Sequence, residues 1–208
     1  MHTAAILSLC IDSKGRWLYT CSLDGYVKKI NLLNRNQVQI DKIWQAQKTE
    51  SIMINLYWTK EIKKNISMTT MSLSYGDSFL YIGCKEKLFL TINTETFEVK
   101  QSSIFFKSVT VIAERTDNFN AFAGTEKGSV YEISSGSLHT KNNQELMAAS
   151  AMDSIHRYAV NFIVICKHND FLFTASQTDR VILLVCLDTR VVLRDFGSLF
   201  EAGVGAGG

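Results

Sequence analysis

Four stretches decide the fold: Trp-Leu-Tyr-Thr-Cys-Ser (17–22), Phe-Leu-Tyr-Ile-Gly-Cys (79–84), Asn-Ala-Phe-Ala-Gly-Thr (120–125) and Phe-Leu-Phe-Thr-Ala-Ser (171–176). Each is aromatic and apolar and closes on small residues, the pattern of a strand packed on both faces. Their starts lie 62, 41 and 51 residues apart. Each follows another apolar run, at 6–11, 68–73, 109–113 and 162–166, across a turn rich in Asp, Gly, Asn and Ser. A third run comes next, at 26–32, 88–93, 129–134 and 181–187, and a fourth in most units, at 37–42, 96–101 and 191–196.

Four short strands per unit, recurring at 40 residues or more, predict an all-β chain built as a β-propeller of four-stranded antiparallel blades. A parallel sheet would alternate strands with helical periodicity, which few stretches show. A two-sheet sandwich would not require a repeat strand by strand. The expected blades span about 3–42, 67–102, 108–141 and 157–197 of a single domain over 1–200. Insertions interrupt the period at 43–66 and 135–155, and 201–208 is a glycine-rich tail.

Composition narrows the class. A 208-residue chain can bury roughly 70% of its unfolded surface, enough for a core without disulfides or metal. Proline is absent where average usage predicts about ten, so there are no proline-rich linkers. Lys and Arg number 22 against 20 Asp and Glu, a net +2 that argues against a strongly electrostatic nucleic-acid binder. The five cysteines, Cys10, Cys21, Cys84, Cys166 and Cys186, form no CxxC pair and sit in apolar stretches, as reduced, buried thiols do. The N-terminus lacks a basic region before its apolar run, and no apolar run is long enough to span a bilayer as a helix. An intracellular, cytoplasmic setting is expected, with cytoskeletal, ciliary or nuclear sites as variants.

The repeat resembles the WD-repeat propellers. In that family a unit opens with Gly-His, carries Asp in the turn between its second and third strands, and ends the third strand in Trp-Asp. Here His2 precedes the first strand, Asp24-Gly25 fills the turn, and Ile30-Asn31 stands at the Trp-Asp position. The last unit matches with His156, Asp179 and Val185-Cys186. The middle units lack the His and carry Ile92-Asn93 and Ile133-Ser134, and no Trp-Asp dipeptide occurs anywhere. The resemblance implies that His2–Asp24 and His156–Asp179 are structural pairs tying loops together, completed by Thr20 or Ser22 and by Thr174 or Ser176. It also implies a non-catalytic protein–protein interaction scaffold, a subunit of a larger multiprotein assembly.

The residues themselves mark no chemistry. GxxxxGK[ST], GxGxxG, HExxH and GxSxG are absent, and His2, His139, His156 and His168 lack metal-ligand spacing. No catalytic residue, metal, cofactor or small-molecule substrate is therefore expected. Partner contacts are expected instead in the first insertion, where Trp44, Tyr57 and Trp58 precede Lys60, Lys63 and Lys64, because aromatics beside positive charge anchor partners. A second reading, a subunit of an RNA-processing or other nucleic-acid complex, would add Lys28 and Lys29. The second insertion holds the most helix-prone stretch, 144–152, expected as a surface helix.

At roughly 40–45 residues per blade the chain supplies four to five blades, short of the seven common in the resembled family. An open arc leaves both end blades with an apolar face uncovered. Further blades, from the same or another chain, are the expected cover; a small four-bladed ring is the alternative.

Overall fold

A computed structural model describes residues 2–33, 39–45, 66–104, 107–116, 120–133, 150–166, 168 and 170–197. These form four antiparallel four-stranded sheets, each ordered as in the chain. Blade 1 comprises β1 (Ile6–Ile11), β2 (Trp17–Ser22), β3 (Tyr26–Asn31) and β4 (Gln39–Gln45). Blade 2 comprises β5 (Met68–Leu73), β6 (Phe79–Cys84), β7 (Leu88–Asn93) and β8 (Val99–Ile104). Blade 3 comprises β9 (Val109–Glu114), β10 (Ala121–Thr125), β11 (Val130–Ile133) and β12 (Ser150–Met152). Blade 4 comprises β13 (Phe162–Ile165), β14 (Phe171–Ser176), β15 (Val181–Cys186) and β16 (Val192–Asp195). The first strands pack in succession, β1 on β5, β5 on β9 and β9 on β13, as inner strands of a propeller do.

Two elements differ from the sequence reading. The fourth strand of blade 1 runs on to Gln45, so Trp44 lies in β4, opposite Val27, rather than in an insertion. Blade 3 takes its fourth strand from Ser150–Met152, inside the expected insertion and helix. Pairing of Met152 with Val130 and Ala151 with Tyr131 satisfies the open edge of β11, and that ladder outweighs local helix propensity.

The turns repeat as well as the strands. Between the second and third strands a left-handed residue recurs: Gly25 (φ 81), Lys87 (φ 65), Gly128 (φ 80) and Arg180 (φ 58). Gly128 is fixed twice over, because a Cβ there would run into the His156 carbonyl.

Packing between blades uses a fixed set of register positions. Each second strand carries an aromatic at the same register position, and Tyr19, Tyr81 and Phe122 are all buried under the following blade. Tyr19 joins Met68, Leu80 and Leu90; Tyr81 joins Val109, Ala121 and Ala123; Phe122 joins Val160, Ile163 and Leu172. Two residues on, the position must be small. A Cβ at Gly83 would clash with Val109, and one at Gly124 with Val160, because the next blade presses in there. Burying one such aromatic contributes roughly 1.5–3 kcal/mol, so three repeated interfaces account for much of the array's cohesion.

Candidate functional site: the end faces and the ties between blades

The histidine–aspartate pairs fall in blades 1 and 4 and are not alike. His2 Nδ1 lies 2.9 Å from Asp24 Oδ2, and His2 Nε2 lies 2.8 Å from Thr20 Oγ1. Asp24 also accepts the Thr3 and Tyr26 amides at 3.0 and 3.1 Å. Burial pushes the Asp24 carboxyl up, but the Thr3 amide, the His2 ring and the Tyr26 amide outweigh it and hold it at about 2. In blade 4, His156 Nε2 lies 2.8 Å from Thr174 Oγ1, whereas Nδ1 stands 3.6 Å from Asp179 Oδ2 and has no hydrogen-bond partner. The Arg157 and Tyr158 amides donate to that same oxygen instead. Burial lowers the His156 pKa, against the charges of Asp179 and Asp195. All four residues knit the blade's lead-in segment to its second turn, with no shared cleft between the two pairs.

Lys28 and Lys29 are not the free basic patch that the nucleic-acid reading needs. Both are buried. The Lys29 ammonium sits 4.3 Å from the Trp17 ring centroid and donates to the Thr94 carbonyl of blade 2 at 3.2 Å. Lys28 lies over the Tyr26 ring. Strand alternation and neighbouring aromatics draw these stems into the sheet, so the charges serve packing. Of the other expected contacts, the Trp44 side chain and Tyr57, Trp58, Lys60, Lys63 and Lys64 lie outside the described residues.

The cysteines are not uniformly buried: Cys21 and Cys84 are, while Cys10, Cys166 and Cys186 are half-buried, and the Thr189 hydroxyl and amide lower the Cys186 thiol pKa. Burial pushes the Cys10 thiol up to about 12 and the Cys21 thiol up to about 11, and raises Cys84 as well. Among the described residues no cluster of His, Cys, Asp or Glu could hold a metal ion, and no helix is long and apolar enough to cross a membrane.

The surfaces that stand out are the two ends of the arc. On blade 4 the positions equivalent to the buried contacts of blades 1 to 3 are open: Phe173 is 38% exposed, where Tyr19, Tyr81 and Phe122 are at most 2% exposed. Phe162, Val164, Phe171 and Ile182 share that face and are exposed with it. On blade 1, Leu9 is 60% exposed, although its counterparts Met71, Ile112 and Ile163 are buried under a preceding blade. Ile6, Leu7 and Ile11 are exposed beside it. Both ends cannot be open in a closed ring of four, so the four blades form an arc. Sequence reasoning located these faces only as a consequence of blade arithmetic; their residues were visible as the same register positions.

A family model for the WD domain, G-beta repeat, matches residues 1–31, which is blade 1 up to the end of β3. The crystal structure of the WD40 repeats of RRP9 superposes with a TM-score of 0.71 at 13% identity, over 93% of this chain. Blade 1 is a WD repeat, and the chain has the WD-repeat propeller fold. This WD-repeat arc covers 51% of the RRP9 chain, about half its length. No curated protein sequence matches it. In WD-repeat terms, blade 1 keeps the His–Asp–Thr network, blade 4 keeps its His–Thr half, and every blade lacks the Trp-Asp end.

Proposed function

We propose that the chain is a non-catalytic protein–protein interaction scaffold, a WD-repeat subunit of a larger assembly that binds further polypeptide through the two end faces of its arc. The observation that carries this is the exposure of Phe162, Val164, Phe171 and Phe173 at one end and of Ile6, Leu9 and Ile11 at the other. Contiguous apolar faces of this kind mark interaction sites in soluble proteins. The fold and the WD-repeat match over blade 1 agree with it. A net charge of +2 and the burial of Lys28 and Lys29 weigh against a phosphate-binding role, while its other expected contacts, Lys60, Lys63 and Lys64, lie outside the described residues.

The test is native mass spectrometry of the chain isolated from its own cells, with the bound polypeptides retained. Association that is lost when Phe162 and Phe173 become Asp, or when Leu9 and Ile11 become Asp, supports the reading. A lone 23.4 kDa species, or a complex indifferent to both pairs of substitutions, overturns it.

A further inference from the structure

We infer that a second copy of this chain covers both end faces, joined head to tail at two equivalent junctions into a ring of eight blades. The inference rests on the scaffold reading above and names its partner.

The two open faces are the two halves of one repeated interface. On the blade 4 face, Phe173 takes the position of Tyr19, Tyr81 and Phe122. Ile182, opposite Ala175, takes the position of Val27, Phe89 and Val130, each fully buried in its own blade. Ala175 supplies the small residue that Gly83 and Gly124 supply elsewhere. On the blade 1 face, Ile6 sits opposite Ser22 as Val109 sits opposite Thr125, so it is the residue that would press onto Ala175.

The peripheral ties also match end to end. At the first junction Lys29 and Lys42 of blade 1 donate to the Thr94 and Glu95 carbonyls of blade 2. That turn is shaped by Asn93, whose Oδ1 accepts the Glu95 amide at 2.9 Å. Blade 1 repeats the turn: Asn31 Oδ1 accepts the Leu33 amide at 2.8 Å. At the far end Arg194, opposite Leu184, stands where Lys42 stands opposite Lys29. A second copy therefore brings a cation, Arg194, to the carbonyl of Leu33. Leu184, in the place of Lys29, then lies beside the Leu32 carbonyl, the counterpart of Thr94, so Arg194 is the cation that meets a carbonyl at this edge.

Closure follows from count and symmetry. Head-to-tail contacts close only when the rotation completes a circle. Two arcs of four blades give eight. Eight blades lie within the range that propellers use.

The experiment is light scattering on the purified 208-residue chain at micromolar concentration, with Phe173→Asp and Leu9→Asp prepared separately. The expected mass is about 47 kDa, twice 23.4 kDa, for the unmodified chain and about 23 kDa for each variant. An equimolar mixture of the two variants should regain about 47 kDa, because one of its two junctions then pairs an intact Phe173 face with an intact Leu9 face. Leu23→Asp, exposed in the turn after β2 and off both faces, should stay near 47 kDa. Both end positions are exposed, so circular dichroism should show the variants folded; if either unfolds, Arg194→Glu serves in its place with the same expected fall to about 23 kDa. An unmodified chain of about 23 kDa overturns the second copy, while leaving the end faces open to other polypeptide. A dimer that survives the substitutions, or that the mixture does not restore, overturns the head-to-tail junction.

Discussion

His156 Nδ1 stands 3.6 Å from Asp179 Oδ2, while the matching atoms of His2 and Asp24 approach to 2.9 Å. The difference separates a buried neutral imidazole from a charge-assisted pair. In blade 4 the Asp179 oxygen is taken by the Arg157 and Tyr158 amides, so the ring is held by Thr174 alone.

His156 should therefore make the fold acid-sensitive. Its folded pKa lies below the unfolded value of 6.5, so the unfolded chain binds the proton more readily. Its stability contribution is complete above 6.5 and is lost as pH falls through the folded value. Melts recorded from pH 7.5 to 5 should show a falling midpoint. His156→Ala should cost roughly 1–3 kcal/mol at pH 7.5 and flatten that slope. A slope unchanged by the substitution would assign the acid sensitivity elsewhere.

Glu114 acts in the opposite direction. It ends β9 where Ile11, Leu73 and Ile165 end the corresponding strands. Its Oε2 is buried with no hydrogen-bond partner, and burial, then the charge of Asp77, pushes its carboxyl up to about 7. A raised pKa contributes stability below the unfolded value, here 4.5, and loses it as pH rises through about 7. Glu114→Gln should stabilise the chain at pH 8 by roughly 1–2 kcal/mol after allowance for solvent screening, and change little at pH 5. Equal effects at both pH values would show that ionisation is not the cause.

Gly128 and Gly15 both have positive φ, 80 and 65, yet they should respond differently to alanine. At Gly15 nothing lies within 4 Å of an added Cβ, so only the left-handed backbone is penalised, at roughly 1–2 kcal/mol. At Gly128 the Cβ also meets the His156 and Tyr158 carbonyls, so the lead-in of blade 4 must shift. Urea titration should show Gly128→Ala losing at least about 1 kcal/mol more than Gly15→Ala, with His156 as the first group to move.

The second strands were legible because each carries its own aromatic, its own small residue and its own turn, all local in sequence. Met152 was not, since a three-residue strand reads as whatever surrounds it, here Glu-Leu-Met-Ala-Ala; only Val130 across the ladder makes it a strand. Lys28-Lys29 read as a basic patch because a Thr94 carbonyl 65 residues on from Lys29 leaves no mark nearby. Glu114 was the missed signal: a carboxyl at a register position that is otherwise Ile or Leu is visible in the repeat itself.

Lys29 closes the case for reading such charges through their neighbours. Its ammonium lies between the Trp17 ring of its own blade and the Thr94 carbonyl of the next, so it ties two blades and is shielded from salt. Lys29→Met keeps the stem and removes the charge. The Thr94 carbonyl then loses this donor while staying buried, and the expected cost is roughly 1–2 kcal/mol. A double-mutant cycle with Trp17→Leu should give a coupling of about 0.5–1 kcal/mol, because the cation and the ring act together. Melts at 0.05 and 0.5 M salt should return the same cost, as expected for a buried contact. A cost that vanishes at high salt would place the ammonium at the surface and restore Lys29 to the candidates for a phosphate partner.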